Sequence, residues 1–439
     1  MDSPAKTAPT PLYPIERRTP TGIAAVFLFI LIVLSSAMVG VGLRAMYAPT
    51  PVLSTAAEIA SGVLAVLILL FVWRGTPSAK GILPVLILGG GVIVFFTSSL
   101  IPAAVLLCLV FSVGAGGFLV SVLPRKALLL SLLIPAAVYG ITAAATLHPV
   151  AGCLGLIPFP AMVALGLGTR HSASRENGLT RVGVLCLTSA TLLVTLAGAV
   201  LLSLFLTVDG FNVLNIPEVL EAFRAAYIEE IITEYNLQLE SLEIPAGTSP
   251  EVIELLTQRM TYKEAANMVS MVFNLMPAVV VILINLTSLL AQLLTQAALR
   301  TFGHEASVTD RVKAFRMSLV SCVVFTAAYF TVLGFILDLG AGSESSLGGV
   351  IALNIYAILL PGMAFAGLLR LVEWVRKKNP KGVGCLVASL VFIPFMWIVA
   401  PLILPIVEVV GNVFSAFSSL FSFVNDSSDG DDDDPFDRF

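Results

Sequence analysis

A chain that must hide one apolar run after another has few folds open to it, and this chain carries eleven such runs. Most reach the roughly 20 residues that a helix rising about 1.5 Å per residue needs to cross a hydrocarbon layer about 30 Å thick. Hydrophobic residues make up 57% of the 439 and charged residues only 12%, too little polar surface to clothe so many runs in water. Inside a bilayer every backbone N–H and C=O must be bonded internally, which leaves helices or a closed barrel. The runs lack the two-residue alternation of barrel strands. The expected fold is therefore all-α: a polytopic helical integral membrane protein of about 11 transmembrane helices (range 9–11) with a cytoplasmic N-terminus.

The runs read as spans over 22–43, 55–73, 82–97, 100–123, 127–147, 150–168, 182–207, 269–297, 316–338, 348–372 and 382–408. The third and fourth meet at a tight turn near Ser98-Ser99, the fifth and sixth at His148-Pro149, so either pair can instead hold a re-entrant segment. With the N-terminus inside, 19 of the 24 Lys and Arg residues fall in cytoplasmic segments, from Lys6, Arg17 and Arg18 to the group Arg370, Arg376, Lys377, Lys378 and Lys381. Basic residues in short loops set orientation, and a single misplaced span would scramble that agreement. The run after Arg18 is longer than a signal-peptide core and reads as an uncleaved first span.

Five regions follow: a cytoplasmic segment (1–21), an N-terminal bundle (22–207), an acidic outer-face helical loop (208–268), a C-terminal four-helix region (269–408), and an interfacial helix with a disordered acidic tail (409–439). The net charge of −4 hides an asymmetry, because residues 208–268 hold eleven acids against three bases and residues 426–439 hold seven against one. In the outer loop, Val219, Leu220, Phe223, Tyr227, Ile231 and Ile232 recur at helical spacing, and a second amphipathic helix is expected to start at Pro250-Glu251. Phe414, Phe417 and Phe421 suit a short interfacial helix. The aspartates beyond it do not make an EF-hand, since Phe436 stands where the bidentate Glu belongs.

Three polar patterns are candidate functional groups. Asn267, Asn274, Asn285, Gln292 and Gln296 share one face of the eighth span, as interhelical hydrogen-bond glue or as the wall of a polar cavity. Pro277 lies among them and can free a backbone carbonyl. At the outer mouth of the first six spans, Glu58, Arg44, Tyr47 and His148 form a candidate ligand-binding group, because an ionisable residue inside a span is costly and so often functional. The alternative there is an Arg44–Glu58 salt bridge that closes a short loop. Helix breakers form the third pattern: Pro158-Phe159-Pro160, Pro102 and Pro135, with Gly89-Gly90-Gly91 and Gly114, Gly116 and Gly117. They mark either substrate-facing discontinuities or close helix packing.

No Walker loop or HExxH is present, and His148, His171 and His304 are far apart, so no enzyme activity, cofactor or metal is expected. The five scattered cysteines read as packing residues. Short basic loops give no support for nucleic acid. Expected partners are the lipid bilayer, a small-molecule solute, and a protein at the outer acidic loop or an energising module.

In its second half the chain resembles the YybS-like family of bacterial multi-span membrane proteins. The matching stretches are Leu275-Met276-Pro277-Ala278-Val279-Val280, Leu299-Arg300-Thr301-Phe302-Gly303, Phe315-Arg316-Met317-Ser318, Leu353-Asn354-Ile355-Tyr356 and Gly362-Met363-Ala364-Phe365. The N-terminal half of that family is distantly similar to the substrate-binding components of energy-coupling-factor transporters. Those are six-helix bundles that bind a small molecule near the outer face. The resemblance implies a bacterial plasma membrane location but no substrate; the polar groups inside an otherwise apolar chain give the first reading, a transporter-like protein that binds a small solute from the outer side. The second reading is a non-catalytic scaffold or assembly factor of an envelope complex that works through residues 208–268. A membrane-embedded enzyme acting on lipids ranks third.

Overall fold

The computed structural model describes residues 23–47, 49–75, 82–122, 133–174, 181–207, 215–240, 259–302, 317–340, 347–378 and 402–418. Among them every regular element is a helix. In chain order these are α1 (Ile23–Tyr47), α2 (Pro51–Gly75), α3 (Leu83–Thr97), α4 (Leu100–Val122), α5 (Leu133–Thr146), α6 (Pro149–Gly155), α7 (Pro158–Ser174), α8 (Arg181–Thr207), α9 (Ile216–Glu240), α10 (Tyr262–Thr301), α11 (Leu319–Gly340), α12 (Leu347–Lys378) and α13 (Leu402–Ser418). Seven segments are long and apolar enough to cross a membrane, α6 and α7 counting together as one, and four shorter apolar helices accompany them. The chain is a multi-pass helical membrane protein.

It divides into two compact units, one of residues 1–212 with 283–310, the other of 213–282 with 311–439. The divide falls inside α10, whose second half belongs to the first unit. There the Thr295 hydroxyl of α10 donates to the Gly114 carbonyl of α4 at 2.8 Å, and Phe302 stacks on Phe118.

In the first unit α4 is central and packs on α1, α2, α3 and α7. Its glycines make this possible. A Cβ at Gly114 would stand 2.9 Å from the Ala291 carbonyl, one at Gly116 2.5 Å from the Met162 sulfur, and one at Gly117 2.9 Å from Leu165. On α1, a Cβ at Gly40 would come within 2.7 Å of backbone atoms at both Ala151 and Gly155. By contrast nothing among the described residues lies within 4 Å of a Cβ at Gly89, Gly90 or Gly91 on α3, so that triplet packs on none of them. The tight turns at 98–99 and 147–148 each join two separate helices, and each turns on a non-glycine residue at positive φ, Ser98 and Leu147.

The sixth span is broken where the prolines predict. α6 stops at Gly155, residues 156–157 make i→i−3 bonds, and α7 begins at Pro158. Proline is well tolerated at a first helical position and poorly tolerated farther in.

In the second unit α11 and α12 pack through Phe325 stacked on Tyr356 and through buried Cys322 and Met363. α9 lies along the start of α10, with Ile228 buried against Ala265 and Val269. That start is a capping box. The Thr261 N–H and hydroxyl donate to the Glu264 carboxylate at 2.9 and 2.7 Å, and the Glu264 N–H returns to the Thr261 hydroxyl at 3.4 Å. At 40 residues, α10 measures about 60 Å, twice a bilayer core, so its first turns stand clear of the hydrocarbon.

Most of the last expected span lies on residues 379–401, outside the described residues, and the structure describes only its end, from Leu402. Glu408 bonds Arg370 of α12 at 2.9 Å, and Arg370 is only about 12 Å along the helix from Lys378. The Leu404 backbone abuts Gly367 and the Gly411 backbone abuts the Arg370 side chain. Advancing along α13 therefore does not lead away from the basic end of α12. The helix also runs on unbroken through 408 to Ser418, taking in Phe414 and Phe417. The expected helix at 250–251 and the acidic tail lie outside the described residues.

Candidate functional site

The four residues expected at the outer mouth do not form one group. Glu58, half-buried on α2, holds the start of α4: its carboxylate accepts from the Ser99 hydroxyl at 2.5 Å and from the Leu100 N–H at 3.2 Å, while Ser99 Oγ accepts from the Ile101 N–H at 3.2 Å. A carboxylate at a helix N-terminus meets unpaired N–H groups and the positive end of the helix dipole. Arg44 instead lies over the Tyr47 ring, its guanidinium carbon 5.1 Å from the ring centre. The Arg44–Glu58 salt bridge expected as the alternative is not formed. His148 is the N-cap of α6 without a side-chain cap, and its Nδ1 is buried with no partner. Only Arg44 and Tyr47 meet, because α1 ends in a single turn that carries both.

The amide stripe divides as well. Asn267 and Asn285 are exposed and Asn274 is half-buried, whereas Gln292 and Gln296 are buried at 3% and 4% exposure. One face of a straight helix is thus polar throughout but covered only where α10 enters the first unit. At Pro277 the glue is a residue the sequence reading used only as a family marker. The Asn354 side chain of α12 accepts from the Ala278 N–H at 3.0 Å and donates to the Asn274 carbonyl at 2.7 Å. An unbroken helix would bond those two groups to each other, so the carboxamide bridges the ladder at the proline.

The first unit also buries several hydroxyls that have no hydrogen-bond partner. Ser36 on α1, Ser61 on α2, Ser112 on α4, and Thr287 and Ser288 on α10 are all buried, and none of their oxygens has a hydrogen-bond partner. Ser36, Ser61 and Ser112 each stand near the midpoint of their helix. A helical serine can turn its hydroxyl back onto the carbonyl four residues earlier, as Ser35 does on Leu31 at 2.7 Å. These five do not, and an unmade hydrogen bond in an apolar interior costs about 1–3 kcal/mol. Ser36 and Ser112 lie nearest the broken helix. The Ser36 carbonyl faces Gly155, the last residue of α6, and Ser112 lies one turn before Gly116, which meets Met162 just past the break.

Sequence reasoning missed this set because it counted amides and charges and passed over hydroxyls. The signal was available: Ser288, Gln292 and Thr295 share one α10 face at i, i+4 and i+7. Among the described residues no group of three His, Cys, Asp or Glu is placed to hold a metal ion. No protein-family model, no curated protein and no solved structure matches the chain.

Proposed function

We propose that this protein is transporter-like and that its first unit binds a small, uncharged, hydrogen-bonding solute taken from the outer face of a bacterial plasma membrane. The observation that carries this reading is the set of buried, unpartnered hydroxyls Ser36, Ser61, Ser112, Thr287 and Ser288, of which Ser36 and Ser112 lie nearest the α6–α7 break. Hydroxyl groups kept free of their own helices at mid-depth need partners from outside the chain, and broken helices beside such groups are how many transporters present backbone to a substrate. The surroundings favour a neutral solute, because the buried side chains named there carry no charge. The kinship with YybS-like proteins and a cytoplasmic N-terminus belong to the same proposal.

The test is native mass spectrometry of the protein released gently from its membrane, repeated with Ser36→Ala/Ser112→Ala. A stoichiometric non-lipid small molecule that the double variant loses is the expected result. A wild-type particle that carries no such molecule, or a variant that keeps it fully, refutes the site.

A second reading, a scaffold for an envelope complex, has its own observation. α9 packs one face on α10 yet leaves Leu220 and Phe223 exposed at 54% and 65%, beside Glu218 and Glu221. Deleting residues 217–263 would also remove Thr261 and break the capping box of α10. Leu220→Asp/Phe223→Asp is the sharper variant, and this reading requires it to abolish a co-purifying protein while the bundle stays inserted.

A further inference from the structure

Glu408 is the one wholly buried charged side chain among the described residues, at 0% exposure. It belongs to the second unit, apart from the buried hydroxyls, and no part of the reading above uses it. Its two oxygens have different surroundings. Oε1 accepts from the Met317 N–H and from the Asn412 amide, each at 3.1 Å, both neutral donors. Oε2 faces the Arg370 Nε at 2.9 Å. Arg370 also donates to the Asn412 side-chain oxygen at 3.0 Å, and the Asn412 amide reaches the Met317 carbonyl and the Cys322 sulfur, each at 3.1 Å. Gly411 is a condition of this arrangement, since any Cβ there would collide with the guanidinium.

We propose that Glu408 is a proton-binding site in the second unit, and that it takes the proton on Oε2 in exchange for Arg370. In the exchange one O–H bond of a hydronium ion breaks and its proton bonds to Oε2, a water molecule is left behind, and the Arg370 ion pair opens with its guanidinium still charged.

Three features of the geometry support the exchange. A buried carboxylate is sustained by its counter-charge, and here that counter-charge touches one oxygen only. The two donors on Oε1 suit the neutral acid as well as the anion, so the carboxyl group keeps its place in either form. Arg370 is not sealed in: its side chain is 23% exposed, and it lies eight residues before Lys378 at the basic end of α12. A long arginine can carry its charge along its own stem to water or headgroups, whereas Glu408 has no such route.

Among the described residues the charged group on Glu408 from α12 is Arg370; Glu373, one turn on, pairs with Lys377 at 3.5 Å. From α11 there is the Cys322 thiol, and α13 carries no other charged residue between Leu402 and Ser418. Arg316, next to Met317, lies outside the described residues. The Met317 N–H just before α11 stays on Oε1 in both protonation states, so what changes with the proton is the hold on Arg370 of α12. A proton site of this kind can serve a gradient-driven protein, and it stands whether or not the first unit binds a solute.

The experiment is a thermal double-mutant cycle on the full-length protein in nanodiscs, with Glu408→Gln, Arg370→Gln and the pair, followed from about pH 8 to about pH 4.5. The expected result is a coupling between the two positions at the alkaline end that disappears at the acid end. A coupling that holds constant across the range makes the pair a permanent structural tie and overturns the proposal. Should Arg370→Gln fail to fold, infrared difference spectra on acidification decide. A protonated-carboxyl C=O band present in wild type and missing in Glu408→Gln supports the site, and a band that survives the substitution refutes it.

Discussion

At the scale of single residues, charge inside this protein is spent on helix ends. Glu58 was singled out because an acid one turn inside an apolar span is expensive. The structure shows the offset: a serine hydroxyl and a backbone N–H at the head of α4, both oxygens engaged. Glu58→Ala should destabilise the protein by about 1–3 kcal/mol, and Glu58→Gln by less. Ser99→Ala should add little to Glu58→Ala, because the two side chains cap one helix end together and such losses are not additive. Thermal unfolding of the three variants and the double variant checks this. Full additivity would show that the two act separately. Loss of solute binding in Glu58→Gln without loss of stability would return Glu58 to the ligand-contact role.

At the scale of elements, the broken helices show how a membrane bundle replaces lost backbone bonds. α10 carries Pro277 in its interior and borrows the Asn354 carboxamide from α12. Asn354→Ala should then cost about 2–3 kcal/mol, since it strands an N–H and a carbonyl where no water reaches. With Pro277→Ala already in place the same substitution should cost much less. Removing the proline returns the N–H that the Phe273 carbonyl lacks and lets Ala278 close directly on Asn274. Denaturation of the four proteins in a mild detergent measures the difference, and an equal cost in both backgrounds would mean that Asn354 acts by packing alone. The α6–α7 break was legible from Pro158-Phe159-Pro160. That Asn354 answers Pro277 was not, because the partners stand 76 and 80 positions apart and no periodicity links them.

At the scale of the whole molecule, orientation rests on the basic loops, and the structure bears on one end of the chain. Glu408 beside Arg370 places α13 at the half of α12 that ends in Arg376, Lys377 and Lys378. The expectation to test is that the chain beyond Ser418 leaves on the side that carries those three. In a cysteine-free background, Gly430→Cys and Lys378→Cys should be labelled by a membrane-impermeant maleimide from the same side. Tyr235→Cys on α9 should be labelled from the other. Opposite labelling of positions 430 and 378 would support a crossing that ends at 408.

What the sequence determined alone is what bulk solvation decides: helices rather than strands, many apolar passes, breaks at prolines, and a basic face. Those follow from the length of apolar runs, the demand that backbone groups be bonded, and the placement of Lys and Arg. Tertiary structure decided which polar residues meet. The sequence placed Glu408 at the edge of an apolar run and Arg370 among topology-setting bases, and nothing in their spacing of 38 residues joins them. Arg44 and Glu58 looked like neighbours and took other partners. The amide stripe is a single face of α10, yet which part of it is buried depends on the helices that happen to cover it. Hydrogen-bond pairing is a short-range, directional choice among many donors and acceptors, and a one-dimensional pattern fixes the supply of those groups but not their matching.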